Sequence, residues 1–295
     1  MEASILTNVL LPLALGVVML GLGLGLTFAD FRRVAEMPRA VLVGLGVQIV
    51  LLPGVAFLIA KFFGLPPELA VGLMLLAASP GGPTANIYSH LAKGDVALNI
   101  TLTATNSLLC LISLPLILNL SLEYFMGAGN YVPPPVKKVI EVGVIIIVPV
   151  VIGMVLRQRA PAFAARMDRP VKGFSVLVLV GVIVAAIVQE WTRLPGYFAT
   201  VGLACLLFNV VSLATGYALP LAIRLPKRQA IAIAMEIGIH NGTLAIFVAL
   251  NVLGSAAISI PAVAYSLIMF VTAAIFAWWV KIPRGAAARE PTSAA

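Results

Sequence analysis

The sequence predicts an all-α integral membrane protein, and three observations carry that expectation. Of its 295 residues, 61% are hydrophobic and only 10% charged, with a mean hydropathy of +1.10. A soluble core of this length cannot bury so much apolar surface, so lipid is the solvent for most of the chain. The apolar residues also fall into nine runs, each close to the roughly 20 residues a helix needs to cross hydrocarbon. Finally, the basic residues are unevenly divided between alternate connections, as the positive-inside rule requires.

The runs cover residues 6–27, 40–63, 68–91, 95–122, 140–157, 173–191, 197–222, 229–253 and 258–281. The first lacks a basic leader and a cleavage site and reads as a spanning helix, not a signal peptide. One set of alternate connections and ends carries 15 of the 19 basic residues, including Arg32, Arg33, Arg39, Lys93, Arg157, Arg159, Lys227, Arg228 and Lys281. The other set keeps only Lys61, Lys137, Lys138 and Arg193. This bias puts the N-terminus outside and the C-terminus in the cytoplasm, whereas eight or ten spans would leave one end on the wrong side. The proline-rich segment 127–135 reads as an external loop, and the basic stretch 157–172 separates the first four runs from the last five. Residues 1–283 form one transmembrane unit, and 284–295 read as a flexible cytoplasmic tail.

Composition also excludes several classes. The basic residues never form a continuous stripe, so the pI near 9.8 does not indicate a nucleic-acid partner. Cys110 and Cys205 lie inside apolar runs and read as small buried hydrophobes without a disulfide or metal framework. Gly21, Gly23 and Gly25 lie within a spanning run with no strand before them, so they are not a nucleotide loop. His90, Asn106 and Ser107 need no ligand, and Trp191, Trp278 and Trp279 suit interfacial anchoring.

Two runs depart from the Leu, Val, Ile, Ala and Gly pattern. The third contains Ser79-Pro80-Gly81-Gly82-Pro83-Thr84-Ala85-Asn86, whose two prolines and two glycines interrupt a continuous helix. The eighth contains Glu236-Ile237-Gly238-Ile239-His240-Asn241-Gly242-Thr243. A carboxylate at mid-membrane costs about 2.5 to 3.5 kcal/mol even on the lenient insertion scale. No basic residue is expected at that depth, so a bound cation is its simplest partner. The third and eighth runs are five apart and cross in opposite directions, which is the arrangement of an inverted repeat. In such transporters two discontinuous helices meet at the midplane, their half-helix N-termini facing an anion and their carbonyls and side-chain oxygens holding sodium.

The runs Gly21-Leu22-Gly23-Leu24-Gly25-Leu26 leading to Asp30-Phe31, Pro80-Gly81-Gly82, Leu91-Ala92-Lys93-Gly94-Asp95-Val96-Ala97-Leu98, and Glu236-Ile237-Gly238 with Asn241 together resemble the bile acid:sodium symporter family over nearly the whole chain. The resemblance implies a core of helices two to four and seven to nine, about 40–122 and 197–281, moving against a panel of helices one, five and six, about 6–27, 140–157 and 173–191. It implies a first sodium site from Asn86, Asn99, Thr103 and Glu236. It implies a second from Gln48, Glu236, the carbonyls of Ile237 and Ile239, and His240. All but one of these positions offer an oxygen, the donor a hard cation requires. Ala85 stands where the family often has serine, and His240 where glutamine is usual. A neutral imidazole offers sodium only nitrogen, and an imidazolium repels it, so two readings stay open: His240 weakens the second site or makes it pH-sensitive, or it is a harmless substitution supported by backbone carbonyls.

The stoichiometry matters energetically. A charge moved through 100 mV is worth about 2.3 kcal/mol and a tenfold gradient about 1.4. Two sodium ions per monovalent anion therefore supply roughly 5 kcal/mol, and one supplies only a tenfold gradient. The expected function is alternating-access symport of sodium with an organic anion, which docks near Thr84, Asn86 and Asn241. By resemblance, substrates run from bile acids to small acids such as pantoate or pyruvate. The expected setting is a monomer in the lipid bilayer of a bacterial inner membrane. The alternatives are a proton-coupled carrier or exporter using Glu236 and His240, a non-transporting receptor, and an intramembrane enzyme. The last has two histidines in the whole chain and no His-Glu-x-x-His motif to support it.

Overall fold

The computed structural model describes residues 11–127, 136–167 and 194–281, with positions 170, 171, 173, 174, 177 and 181 between the last two blocks. Most of the sixth run, most of the external loop 127–135 and the tail 284–295 therefore lie outside the described residues. Apart from one isolated bridge, the described regular structure is helical.

Helix α1 (Leu11–Gly25) is followed by α2 (Phe28–Glu36), with a bend of 63° between them. The spanning helix α3 runs Pro38–Phe62. Next come α4 (Pro67–Ala78), α5 (Ala85–Leu91), α6 (Val96–Met126) and α7 (Val136–Arg159). The chain continues through α8 (Leu194–Ala222), α9 (Lys227–Gly238), α10 (Gly242–Phe247, extended by a π turn over Val248–Val252) and α11 (Ala256–Lys281). Among the described residues four helices are long and apolar enough to cross a membrane, or five if α1 and α2 form one bent span.

Helix α2 departs from the sequence reading, which leaves 28–39 as a connection. Its start is fixed locally: the Thr27 backbone N–H and hydroxyl both donate to Asp30 Oδ2, at 2.6 and 2.8 Å. A carboxylate at the third helical position thus reaches back to satisfy the free donors of the first turn. Asp30 also pairs with Arg33, which explains how it can be buried.

Helix α3 has a π turn over Val47–Leu51 just before Pro53. Proline supplies no N–H and crowds the carbonyl one turn back, so the ladder widens there. That turn carries Gln48, which is buried.

Helices α1 and α7 pack on one another, and the glycine run of α1 shows why. A Cβ at Gly23 would collide with the Val150 backbone, and one at Gly153 would meet Leu24 N at 2.6 Å. Missing side chains let backbones approach, the usual route to helix association in lipid. The remaining helices pack around α4 and α9. Every residue from Leu69 to Ala78 and from Ala230 to Gly238 is buried. A helix covered on all sides needs no polar face, which makes the polar groups where these two helices stop the more telling.

Candidate functional site

Helix α4 stops at Ser79, whose backbone is extended (φ −72°, ψ 143°), and Pro80 and Pro83 cannot continue an α ladder. Helix α9 stops at Ile239, also extended (φ −115°, ψ 90°). The two breaks pair with each other. Gly82 N–H donates to Ile239 O at 2.7 Å and Asn241 N–H to Pro80 O at 2.8 Å, with Gly81 and His240 as the antiparallel bridge. Buried backbone groups must find partners, and here each break supplies them to the other.

Glu236 lies in the last turn of α9, 2% exposed. Thr103 Oγ1 on α6 is 2.5 Å from its Oε2 and 3.0 Å from the carbonyl of Asn99. Asn99 Nδ2 donates to Ala232 O at 2.7 Å, one turn back along α9. Three predicted residues thus come together through the packing of α6 on α9. The carboxylate also lies against Gly81, where any Cβ would take the space of Glu236 Oε1, Cδ and Oε2. Glycine at 81 is therefore required by the approach. Glu236 Oε1 and Asn99 Oδ1 are both buried without a hydrogen-bond partner. Among the described residues the ion pairs are Arg32 with Glu36 and Arg33 with Asp30, so no basic group neutralises Glu236.

Gln48 and His240 meet at the other end of the bridge. Gln48 Nε2 donates to Ser79 O at 2.9 Å and lies 3.4 Å from Ala77 O. His240 Nδ1 lies 3.1 Å from Ser79 O. A carbonyl can only accept, so Nδ1 carries the proton, and its 3.4 Å approach to Gln48 Nε2 joins two donors and is not a hydrogen bond. His240 is stacked on Phe208 at 5.7 Å and edge-on to Tyr265 at 5.3 Å. Its Nε2 and the Gln48 Oε1 have no partner. The carbonyl of Ile239 is engaged by Gly82. For a cation, this is a cluster whose nearest carbonyl already faces two N–H donors.

The remaining predicted residues line the starts of the half-helices. Thr84 is the N-cap residue of α5 and makes no capping bond. Asn86 Nδ2 lies 3.5 Å from Pro83 O, and its Oδ1 is buried without a partner. Asn241 caps α10, its Oδ1 accepting from Leu244 N at 3.0 Å, which leaves its amide N–H groups as donors.

Sequence reasoning missed a second polar cluster on the opposite side of α9. Asn209 Nδ2 on α8 donates to Gly238 O at 2.8 Å and to Tyr265 Oη at 2.8 Å, while the Tyr265 hydroxyl donates to Gly238 O at 2.9 Å. Thr272 donates to Asn209 Oδ1. The available signal was Asn209 itself, an amide with Phe208 and Val210 on either side inside an apolar run. Among the described residues no three His, Cys, Asp or Glu side chains gather as a metal cluster, so the donors here are of the amide, hydroxyl, carbonyl and carboxylate type.

These features define a multi-pass helical membrane protein with a polar centre where two interrupted helices pair. The model of the Sodium Bile acid symporter family matches residues 12–195, and the chain belongs to that family, one of transporters and not enzymes. It is similar to the P3 protein of Mus musculus, 30% identical over 215 residues, which is 73% of this chain and 45% of that protein. It is also similar to an uncharacterized sodium-dependent transporter, YocS, of Bacillus subtilis, 26% identical over 78% of this chain and 70% of the relative. A third relative is the probable sodium/metabolite cotransporter BASS1, chloroplastic, of Arabidopsis thaliana, 27% identical over 84% of this chain and 60% of the relative. The chain spans less than half the length of the P3 protein.

Proposed function

We propose that the chain is a sodium-coupled symporter of an organic anion working by alternating access. The observation that carries this reading is Glu236, 2% exposed, with Oε1 unpartnered and no basic group in reach among the described residues. An ionised carboxylate in that position demands a positive partner. Sodium, a hard cation, suits Glu236, Thr103 and the free Oδ1 atoms of Asn99 and Asn86. Gln48, the Ile237 and Ile239 carbonyls and His240 make a poorer second site, because two N–H groups already face Ser79 O. We therefore assign one sodium ion per cycle.

In this reading the chain crosses nine times as an inverted repeat, with α4/α5 and α9/α10 as its paired broken helices. The N-terminus lies outside, and a core of helices two to four and seven to nine moves against a panel of one, five and six. Sodium neutralises Glu236 and holds α6 against α9, which favours the conformation that accepts the anion. The anion docks at Thr84, Asn86 and Asn241, at the positive ends of α5 and α10. A carboxylate or sulfonate is the group so recognised, and the protein acts as a monomer in the cell membrane.

The test is uptake into proteoliposomes of a panel of organic anions, with an inward gradient of sodium or of potassium. Accumulation of one anion with sodium only supports the reading; accumulation equal in both gradients removes sodium coupling. One observation favours a second reading, proton coupling. The Thr103 hydroxyl suits both forms of Glu236, donating to the carboxylate or accepting from the acid while donating to Asn99 O. Uptake without sodium that collapses with a protonophore would select it.

A further inference from the structure

Away from the paired breaks, one end of the molecule holds a cavity of about 810 Å³ where the end of α5, the starts of α6 and α9 and the end of α11 converge. Lys93, Lys227, Arg228 and Lys281 line it together with His90 and a single acid, Asp95. Four cations against one carboxylate leave a formal charge of +3, and Asp95 Oδ1 is already engaged by Leu98 N at 3.1 Å. None of the four cations belongs to an ion pair found among the described residues.

The positive-inside rule requires that such residues lie on this side. It does not require four of them around one concave space. Two further features add to the charge. Helix α9, 12 residues long, begins here with no acidic residue in its first turn, so no residue of that turn offsets its positive end. Lys93 has a left-handed backbone (φ 59°), where glycine or asparagine is the usual occupant. The loop can close this way because Gly94 packs beside Ser89 and Ile231, where a Cβ would be 2.7 Å from Ser89 Oγ. Trp278 and Trp279, 67% and 41% exposed, lie one turn or less before Lys281 and mark the headgroup level of the bilayer.

We infer that this cavity is a phosphate-binding site whose ligand is the phosphodiester of an anionic phospholipid headgroup or a soluble phosphate of the cytoplasm. The cations and the positive end of α9 match the charge and the acceptor oxygens of such a group. The cavity exceeds a single phosphate and accommodates the remainder of a headgroup. This site does not depend on the symport reading, since its lining includes neither Glu236 nor His240.

The experiment uses the full chain in detergent micelles at constant ionic strength. One arm titrates phosphatidylglycerol against phosphatidylcholine, the other inorganic phosphate and pyrophosphate, with thermal stability and native mass spectrometry as readouts. The expected result is at least tenfold preference for phosphatidylglycerol over phosphatidylcholine, or saturable stabilisation by pyrophosphate. Either is reduced fivefold or more in the Lys93→Gln/Arg228→Gln variant. Arg228→Lys, which keeps the charge, stays within about twofold and separates charge from folding. The source is assigned by whichever arm responds. Equal loss in Arg157→Gln/Arg159→Gln, two cations outside the cavity, or no response in either arm would overturn the site.

Discussion

The two sides of the end of α9 carry similar numbers of polar groups and use them in opposite ways. On the side facing α8 and α11, Asn209, Tyr265 and Thr272 form a closed network around the carbonyl of Gly238. On the side facing α6 and α3, Glu236 Oε1, Asn99 Oδ1 and Gln48 Oε1 are buried with no partner. Unpaired buried polar atoms are costly and rare. Three of them gather on one side of a single helix end while the other side is bonded throughout, which separates a fixed anchor from a receptive site. The anchor holds the break in place, and the open side is shaped for something that arrives.

That contrast can be broken residue by residue. The largest effect is expected for Glu236→Gln, which removes the charge that calls for a cation. Sodium-dependent uptake in proteoliposomes should fall at least a hundredfold, about 3 kcal/mol, while a sodium response near wild type would erase the distinction between the two sides. Asn209→Ala should act on the anchor instead. It removes two donors and should lower unfolding stability by about 2 to 3 kcal/mol, leaving the sodium midpoint of the folded protein within about twofold, as read by denaturation and sodium titration of one sample.

Gly81→Ala pushes a methyl group into the place of the carboxylate and should cost about 1 to 3 kcal/mol through strain, with sodium affinity falling more than stability does. Thr103→Val removes one hydroxyl and should weaken sodium binding several-fold, on the order of 1 kcal/mol. The smallest signal is expected from charge movement. With one sodium ion per monovalent anion, uptake carries no current between pH 6 and 8, and a sustained inward current would restore a second ion near Gln48 and His240.

Much of this was legible in the sequence because the chemistry of interruption is local. Pro80, Gly81, Gly82 and Pro83 announce a break without any knowledge of the fold, and Glu236 stands out as a deep carboxylate in an apolar run. What the breaks bond to was not legible, since the pairing of Gly82 with Ile239 joins residues far apart in the chain. Asn209 and Tyr265 escaped notice because a lone amide and a phenol look unremarkable until packing aims both at one carbonyl. Helix α2 was missed for a different reason. Its capping pair, Thr27 and Asp30, straddles the end of an apolar run, and the basic residues beside it read as a loop signal.

The most direct measurement is the melting temperature of the full chain in detergent against sodium concentration, with potassium making up constant ionic strength. The account predicts that the wild type is stabilised as sodium rises, following binding to the native state. It predicts a flat response for Glu236→Gln, which should equal or exceed wild type when sodium is absent, because a neutral amide needs no counter-ion. Parallel rises in both proteins, or a variant less stable at every concentration, would contradict it.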